Sequence, residues 1–252
     1  MTKETGPDVF LRLIADARRW RLLVELAAGD LRVHELVDRL GSPQNLVSYH
    51  LRQLRGAGLV SARRSAADGR DTYYRLEAAT CARGLGAVGA GLHPGLRLTV
   101  DAPVPTRQGQ RVLFLCTGNS ARSQMAEALL RDRSAGAIDA RSAGSDPKPL
   151  HPHAVRAMAE RRIDISGAAT KHHRRFAHVH FDRVITLCDR VREVCPELPG
   201  GPTVAHWSTA DPALEGAGAA SYPAFVRTAD DLDDRIGVLL AQLTPHQEEP
   251  HG

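Results

Sequence analysis

The 252-residue chain lacks any long hydrophobic run. No stretch approaches the roughly 20 apolar residues that span a bilayer, and the start, MTKETGPDVFLRL, lacks the apolar core of a secretory signal. These absences predict a cytoplasmic protein without membrane contact. Its 42% hydrophobic and 25% charged residues are typical of a soluble globular protein, long enough for two domains.

Cysteine is also scarce, with four residues, at positions 81, 116, 188 and 195. Thiols stay reduced in the cytoplasm, so this scarcity argues against a structural disulfide framework and favours catalytic, metal-binding or incidental roles. No internal repeat is visible, and residues 246–252 form a short polar tail.

The net positive charge of the chain lies wholly in its first half. Residues 1–109 contain 16 Lys and Arg against 11 Asp and Glu, whereas residues 110–252 contain 17 against 18. This asymmetry predicts that the N-terminal part binds a polyanion. Between the halves, the proline-containing segment 92–110 has little helical periodicity and is interpreted as a linker between domains at 1–91 and 111–245.

The first domain has a helical pattern followed by a hairpin. Helical spacing of apolar residues predicts helices over 9–26, 33–40 and 43–58. Ser42 is expected to cap the third helix, with Pro43 at its first position. Two strand-like runs then flank Asp68-Gly69, a hairpin signal. This order predicts a mainly α winged helix-turn-helix domain.

The stretch SPQNLVSYHLRQLRGAGLVSARRSAADGRDTYYRLE resembles the recognition helix and wing of ArsR-type repressors, and the resemblance covers about residues 8–90. It implies binding of double-stranded DNA through the third helix and a homodimer formed through the first and last helices. The implied DNA-contacting residues are Gln44, Asn45, Ser48, Tyr49, His50, Arg52, Arg63, Arg64 and Arg70. The alternative is that these side chains only solvate an exposed face.

The inducer of such a domain is left open by the sequence. Family repressors often sense metalloid through a cysteine pair, but Arg32 and His34 stand where those thiolates would be expected. Cys81, just beyond the wing, is expected to be a small core residue rather than a sensor.

The second domain opens with RVLFLC, a run suited to a buried parallel strand, followed by a loop and a helical pattern. This order places Cys116 under a helix N-terminus, where unpaired N–H groups favour both an oxyanion and a thiolate. The guanidinium of Arg122 can donate two hydrogen bonds to a tetrahedral oxyanion, and the hydroxyl of Ser123 can hydrogen-bond the sulfur of Cys116. Gly118 and Asn119 suit a loop whose amides turn inward.

The string CTGNSARSQMAE resembles the phosphate-binding loop of low-molecular-weight protein tyrosine phosphatases and of the thioredoxin-coupled arsenate reductases that share their fold. The resemblance runs from about 111 to 243 and implies an α/β domain with a four-stranded parallel sheet flanked by helices. Both families usually have a second cysteine where Ala121 stands. The implied oxyanion-binding residues are Cys116, Thr117, Gly118, Asn119, Ser120, Ala121 and Arg122.

Two later motifs distinguish the subfamilies. Asp211-Pro212, after the expected fourth strand, matches the family's general acid. Cys188 and Cys195 match the redox pair of the reductases, and a phosphatase needs only one cysteine. A phosphatase would also typically have tyrosines straight after the Asp-Pro, where this chain has alanine and leucine.

The resemblance to the reductases implies a thiol relay. Cys116 attacks arsenate while Asp211 protonates the departing oxygen; Cys188 then attacks Cys116, and Cys195 attacks Cys188. Thioredoxin or a similar dithiol is the expected reductant, with no tightly bound cofactor. Seven helical residues separate Cα atoms by about 10.5 Å. A disulfide needs about 4.4 to 6.8 Å, so the segment between Cys188 and Cys195 must unwind or loop for them to pair.

Some reductases of this family hold a potassium ion beside the loop. Asn119, Glu127 and Ser142 match part of that ligand set, but Lys171 stands about where an acidic ligand would be expected. Its ammonium is therefore expected to replace the ion, and no bound metal is predicted. The histidines at 172, 173, 178 and 180 are interpreted as a polar, solvated stretch.

The leading hypothesis is an arsenate reductase fused to an ArsR-like regulator domain, in arsenic detoxification. One alternative is a phosphotyrosine phosphatase with a DNA-binding domain. Another is a non-catalytic transcription factor whose second domain senses an oxyanion or redox state.

Overall fold

The computed structural model describes residues 6–96, 109–193, 199–216 and 218–243. The chain divides into two compact units, one within residues 1–101 and the other within 102–252. Within the described ranges, every helix is too short or too polar to cross a bilayer.

Helices and a small sheet make up the N-terminal unit. Its helices are Pro7–Ile14 (α1), Ala17–Ala27 (α2), Val33–Leu40 (α3), Gln44–Gly56 (α4) and Ala78–Leu92 (α5). Its strands are Leu31–Arg32 (β1), Val60–Arg64 (β2) and Thr72–Leu76 (β3), paired antiparallel in the order β1-β3-β2. Leucines from α2, α3 and α4 form the core. The predicted order of helices followed by a hairpin is confirmed.

The prediction of one helix from residue 9 to 26 is wrong. The chain leaves helical geometry between α1 and α2, where the carboxylate of Asp16 accepts the backbone N–H groups of Arg18 and Arg19, each at 3.0 Å. The pKa of Asp16 is lowered, chiefly by the bond from Arg19. Apolar periodicity continues across this break because both helices pack on one core, so periodicity alone did not reveal the cap.

The expected cap of α4 is also wrong. Pro43 is the residue that precedes the first helical position, and α4 begins at Gln44. The hydroxyl of Ser42 donates instead to the carbonyl of Leu40, at 3.4 Å. Ser42 therefore belongs to the turn between α3 and α4.

The C-terminal unit is an α/β domain. Its strands are Arg111–Cys116 (β4), Asp139–Gly144 (β5), Arg183–Thr186 (β6) and Thr203–His206 (β7), and its helices are Arg122–Arg133 (α6), Pro152–Ala159 (α7), Asp189–Glu193 (α8) and Tyr222–Leu243 (α9). The strands form a parallel sheet in the order β5-β4-β6-β7. The predicted four-stranded parallel sheet is thus confirmed.

The sheet determines where the functional loops meet. Residues 112–116 of β4 are all buried, as expected for a central strand whose neighbours lie on both sides and whose faces are covered. The carboxyl ends of parallel strands meet at one edge of a sheet. The loops that follow β4, β5, β6 and β7 therefore come together at that edge.

Candidate active site

The loop between β4 and α6 surrounds the sulfur of Cys116. This cysteine ends β4 and is buried. The backbone N–H of Asn119 donates to its Sγ at 3.2 Å, and the hydroxyl of Ser123 lies 3.0 Å from it. Ala121, which precedes α6, offers no side-chain cap, so the first N–H groups of α6 lack a capping side chain. Such an N-terminus favours an anion at the sulfur.

Residues 145–151, here called the backing segment, hold the outer side of this loop. The N–H groups of residues 145, 146, 148 and 151 donate to the carbonyls of residues 116, 117, 118 and 120, at 2.9 to 3.3 Å. Residues 147 and 149 of the backing segment are prolines, which have no N–H to donate. These bonds turn loop carbonyls toward the backing segment, an arrangement in which loop amides can face an anion on the other side.

Asn119 fixes the shape of the loop. It is fully buried and has a positive φ of 46°, a conformation that asparagine tolerates better than most residues. Its amide nitrogen donates to the hydroxyls of Ser123 and Ser142, each at 2.9 Å. Its amide oxygen accepts the backbone N–H of Lys171 at 2.7 Å. These bonds hold Asn119 in the conformation that turns its own N–H toward Cys116.

The guanidinium of Arg122 bonds to the loop that follows β7. One of its nitrogens donates to the carbonyl of Thr209 at 3.0 Å, and the other donates to the carboxylate of Asp211 at 2.7 Å. Arg122 is buried while Asp211 is partly exposed. The two side chains that the sequence assigned to anion binding and proton transfer are therefore in direct contact.

A second buried thiol lies beside the loop. Cys188 follows β6, and its Sγ is 3.2 Å from the hydroxyl of Thr117. The prediction that Cys188 belongs to the same site thus has a direct contact in its favour. Cys195, the other predicted redox residue, lies outside the described residues.

The ammonium of Lys171 lies beside the loop, at Glu127. Its Nζ is 3.2 Å from a carboxylate oxygen of Glu127, which also accepts the hydroxyl of Ser142 at 2.5 Å. This ammonium lies at Glu127, one of the residues that match part of the potassium ligand set, so the expectation that it replaces the ion stays a prediction. Within the described ranges, no group of three His, Cys, Asp or Glu side chains is arranged to hold a metal.

Most of the predicted DNA-contacting residues are accessible at the surface of the N-terminal unit. Exposed or half-buried side chains are those of Gln44, Asn45, Ser48, Tyr49, Arg52, Arg63, Arg64 and Arg70. Arg70 forms an ion pair with Asp68, at 2.8 Å, and this contact lowers the pKa of Asp68 to about 2. Part of the wing's positive charge is therefore neutralised within the wing.

His50 does not belong to this surface. Its ring is only 5% exposed and faces the N-terminus of α2, with its Nδ1 3.9 Å from the carboxylate of Asp16. The prediction that His50 contacts DNA is therefore wrong. Its spacing could have revealed this, since position 50 lies three residues after Val47 and four before Leu54, which are both buried.

Two further positions of the N-terminal unit agree with a structural role. Arg32 stands at one of the two positions where a metalloid-sensing repressor would have a thiolate. It forms ion pairs with Glu35 and with Asp71, at 3.5 and 2.9 Å. Cys81 is half-buried against the apolar core, and this burial raises the pKa of its thiol to about 11. A thiol with so high a pKa is a weak nucleophile and a weak metal ligand at neutral pH.

Comparison with known proteins agrees with this geometry. Residues 111–248 match the low molecular weight phosphotyrosine protein phosphatase family. The chain belongs to that family. Within the N-terminal unit, residues 16–62 match the arsR family of bacterial regulatory proteins. The phosphatase-family match covers more than half of the chain and includes every residue of the candidate active site.

Individual relatives of this phosphatase-family domain are arsenate reductases. The arsenate reductase of Halalkalibacterium halodurans is 38% identical over 126 residues, which are 50% of this chain and 91% of the relative. That of Brevibacillus brevis is 38% identical over 125 residues, 50% of this chain and 90% of the relative. A solved arsenate reductase in the oxidized state is 29% identical, covers 54% of this chain and 100% of its own, and has a TM-score of 0.48.

Proposed function

We propose that the C-terminal unit reduces arsenate to arsenite through a relay of thiols. The observation that carries this proposal is the 3.2 Å contact between the Cys188 sulfur and the Thr117 hydroxyl, in the loop that surrounds Cys116. A phosphatase needs one nucleophilic thiol, whereas a reductase needs a second thiol within reach to remove the oxidised sulfur. The arsenate reductases among the relatives support the same conclusion.

In the first step, the thiolate of Cys116 attacks the arsenic of an arsenate held by the loop amides and Arg122. The arsenate replaces the carboxylate of Asp211 at the guanidinium. The freed carboxylate takes up a proton from the acidic arsenate or from water and gives it to the departing oxygen, which leaves as water. An As–S bond forms and arsenic stays pentavalent. Ser123 and the N–H of Asn119 stabilise the thiolate before attack.

In the second step, the thiolate of Cys188 attacks the sulfur of Cys116. The new S–S bond forms as the S–As bond breaks, and its electron pair passes to arsenic, which leaves as trivalent arsenite. Two thiols are thereby oxidised to one disulfide while arsenate gains two electrons. Cys195 then attacks Cys188, releases Cys116 as a thiolate, and leaves a Cys188–Cys195 disulfide for thioredoxin or another dithiol to reduce.

A coupled assay tests the proposal. NADPH oxidation is followed with thioredoxin, thioredoxin reductase and arsenate, and hydrolysis of an aryl phosphate is followed separately by release of the phenol. We expect multiple turnovers with arsenate, and with Cys188→Ser no steady turnover with arsenate. An enzyme that hydrolyses the aryl phosphate, ignores arsenate and tolerates Cys188→Ser is a phosphatase, and that outcome would refute the proposal.

We further propose that the N-terminal unit binds double-stranded DNA as a homodimer. The arsR-family match and the accessible arginines of the wing support DNA binding. Exposed apolar side chains at Val9 and Leu11 of α1, and at Leu85 and Leu92 of α5, support association through these helices. Sedimentation equilibrium of the full chain checks this, and a monomer at micromolar concentration contradicts it.

A further inference from the structure

A group of buried polar side chains lies directly behind Cys188. Asp189, the first residue of α8, is 1% exposed, and His206, the last residue of β7, is 4% exposed. The carboxylate of Asp189 lies 3.1 Å from Nε2 of His206 and accepts the hydroxyl of Ser208 at 2.8 Å. Nδ1 of His206 lies 2.8 Å from the hydroxyl of Thr186. These four residues are here called the Asp189 cluster.

Such a cluster is costly to bury. A carboxylate removed from water loses its hydration, and its partners offset this loss only if their geometry is good. The oxyanion chemistry assigned to Cys116, Arg122 and Asp211 does not use these side chains. A fully bonded polar cluster does, however, fix the positions of the backbone segments that carry it.

The Asp189 cluster joins the chain on either side of Cys188, because Thr186 comes before this cysteine and Asp189 directly follows it. Leu187, before Cys188, donates its N–H to the carbonyl of Leu115 at 2.7 Å and accepts the N–H of Thr209 at 3.3 Å. Asp189, after Cys188, is held through its side chain. Cys188 is therefore anchored on both sides, and its sulfur is kept at the hydroxyl of Thr117.

From this arrangement we infer that Asp189 and His206 are positioning residues for the second step of the relay, holding Cys188 in line for attack on the sulfur of Cys116. The inference rests on the proposed function. Attack on a sulfur requires the nucleophile to approach along one line, opposite the leaving arsenic, and a displacement of about 1 Å can slow such a reaction about a hundredfold. The Asp189 cluster limits this displacement without touching arsenate.

Single-turnover kinetics test the inference. Fully reduced enzyme is mixed with arsenate in the absence of any reductant, so that arsenite release reports the attack of Cys188 on Cys116. We expect Asp189→Asn and His206→Ala to slow this release at least about tenfold. His206→Gln keeps a donor toward Asp189 and is expected to recover part of the rate.

Binding of inorganic phosphate separates positioning from general damage to the site. Isothermal titration calorimetry is expected to give these variants a phosphate Kd within about twofold of wild type, because the bonds described for the cluster join its own members rather than the loop amides or Arg122. Ser208→Ala removes one donor to Asp189 and serves as a milder variant if the others fail to fold. Ser134→Ala, a buried serine at the end of α6, is the matched control and should leave both measurements unchanged.

Each outcome decides the question. The inference is overturned if the variants release arsenite at the wild-type rate. It is also overturned if the variants lose phosphate affinity and release rate together, because the two losses would then reflect general damage to the site. A wild-type enzyme that releases no arsenite overturns the proposed function itself, and the inference with it. A competent wild type with unaffected variants overturns the inference alone.

Discussion

At the scale of single residues, Lys171 shows how a charge outside the oxyanion loop supports it. Glu127 is 11% exposed at its side chain and pairs with two cations, Lys171 and Arg131. Lys171 is 15% exposed and Arg131 is 53% exposed, so the ammonium is the less screened partner. The backbone N–H of Lys171 also holds the amide of Asn119.

Replacement of Lys171 by methionine should therefore weaken oxyanion binding. The substitution leaves the Glu127 carboxylate with less counter-charge and loosens the segment that fixes Asn119. We expect the phosphate Kd to rise about three- to tenfold, corresponding to roughly 1 kcal/mol. Titration calorimetry measures it, with Arg175→Met as control, since Arg175 is an exposed cation of the same segment. An unchanged Kd in Lys171→Met would show that Glu127 does not need the ammonium.

The residue scale also shows what the sequence could predict and what it could not. Cys116 and Arg122 were predicted from the chemistry of their loop and Asp211 from the resemblance to the phosphatase family, and the structure brings all three to one sheet edge. The contact between Arg122 and Asp211 joins residues 89 positions apart, and no local pattern indicates its distance. His50 was misassigned because its polar side chain was given more weight than its place on the helix.

At the scale of elements, the close approach of β5 to the oxyanion loop depends on Gly144. A Cβ at this position would lie 2.4 Å from the carbonyl oxygen of Thr117 and 2.9 Å from the backbone nitrogen of Asn119. Both atoms belong to backbone that cannot move aside without changing the loop. The parallel strands were predicted from their apolar runs, but this contact depends on the packing of β5 against a loop more than 20 residues away.

Substitution of Gly144 by alanine should thus damage binding and stability together. The added methyl forces the loop away from β5, and overpacking of this kind costs about 1 to 3 kcal/mol of unfolding free energy. We expect a lower urea midpoint and a phosphate affinity reduced at least about tenfold. Gly167→Ala is the matched control, because no atom lies within 4 Å of its added Cβ. If both alanine variants match wild type in urea midpoint and in phosphate affinity, the close approach of β5 to the loop is not needed for binding or stability.

At the scale of the whole molecule, the chain combines two units of different charge. The excess of Lys and Arg over Asp and Glu lies in the first half of the sequence, and the oxyanion site lies in the second. Each unit has its own hydrophobic core. The two activities should therefore be separable by mutation.

A double substitution of Arg63 and Arg64 by alanine tests this separation. Loss of two phosphate contacts should weaken binding to duplex DNA and make it less dependent on salt, while arsenate turnover remains unchanged. Fluorescence anisotropy with labelled duplex at several salt concentrations measures the first effect, and the coupled assay measures the second. Equal losses in both assays would mean that the units do not work independently.

The pairing of Arg122 with Asp211 has a further consequence for how the site responds to its surroundings. Without a ligand, the guanidinium already holds a carboxylate at 2.7 Å, so an incoming oxyanion competes with a group of the protein itself. The apparent affinity is then the intrinsic affinity multiplied by the fraction of molecules in which Arg122 is free of Asp211. The pairing thereby raises the anion concentration needed to half-fill the site, so more of the protein stays unliganded at trace anion levels.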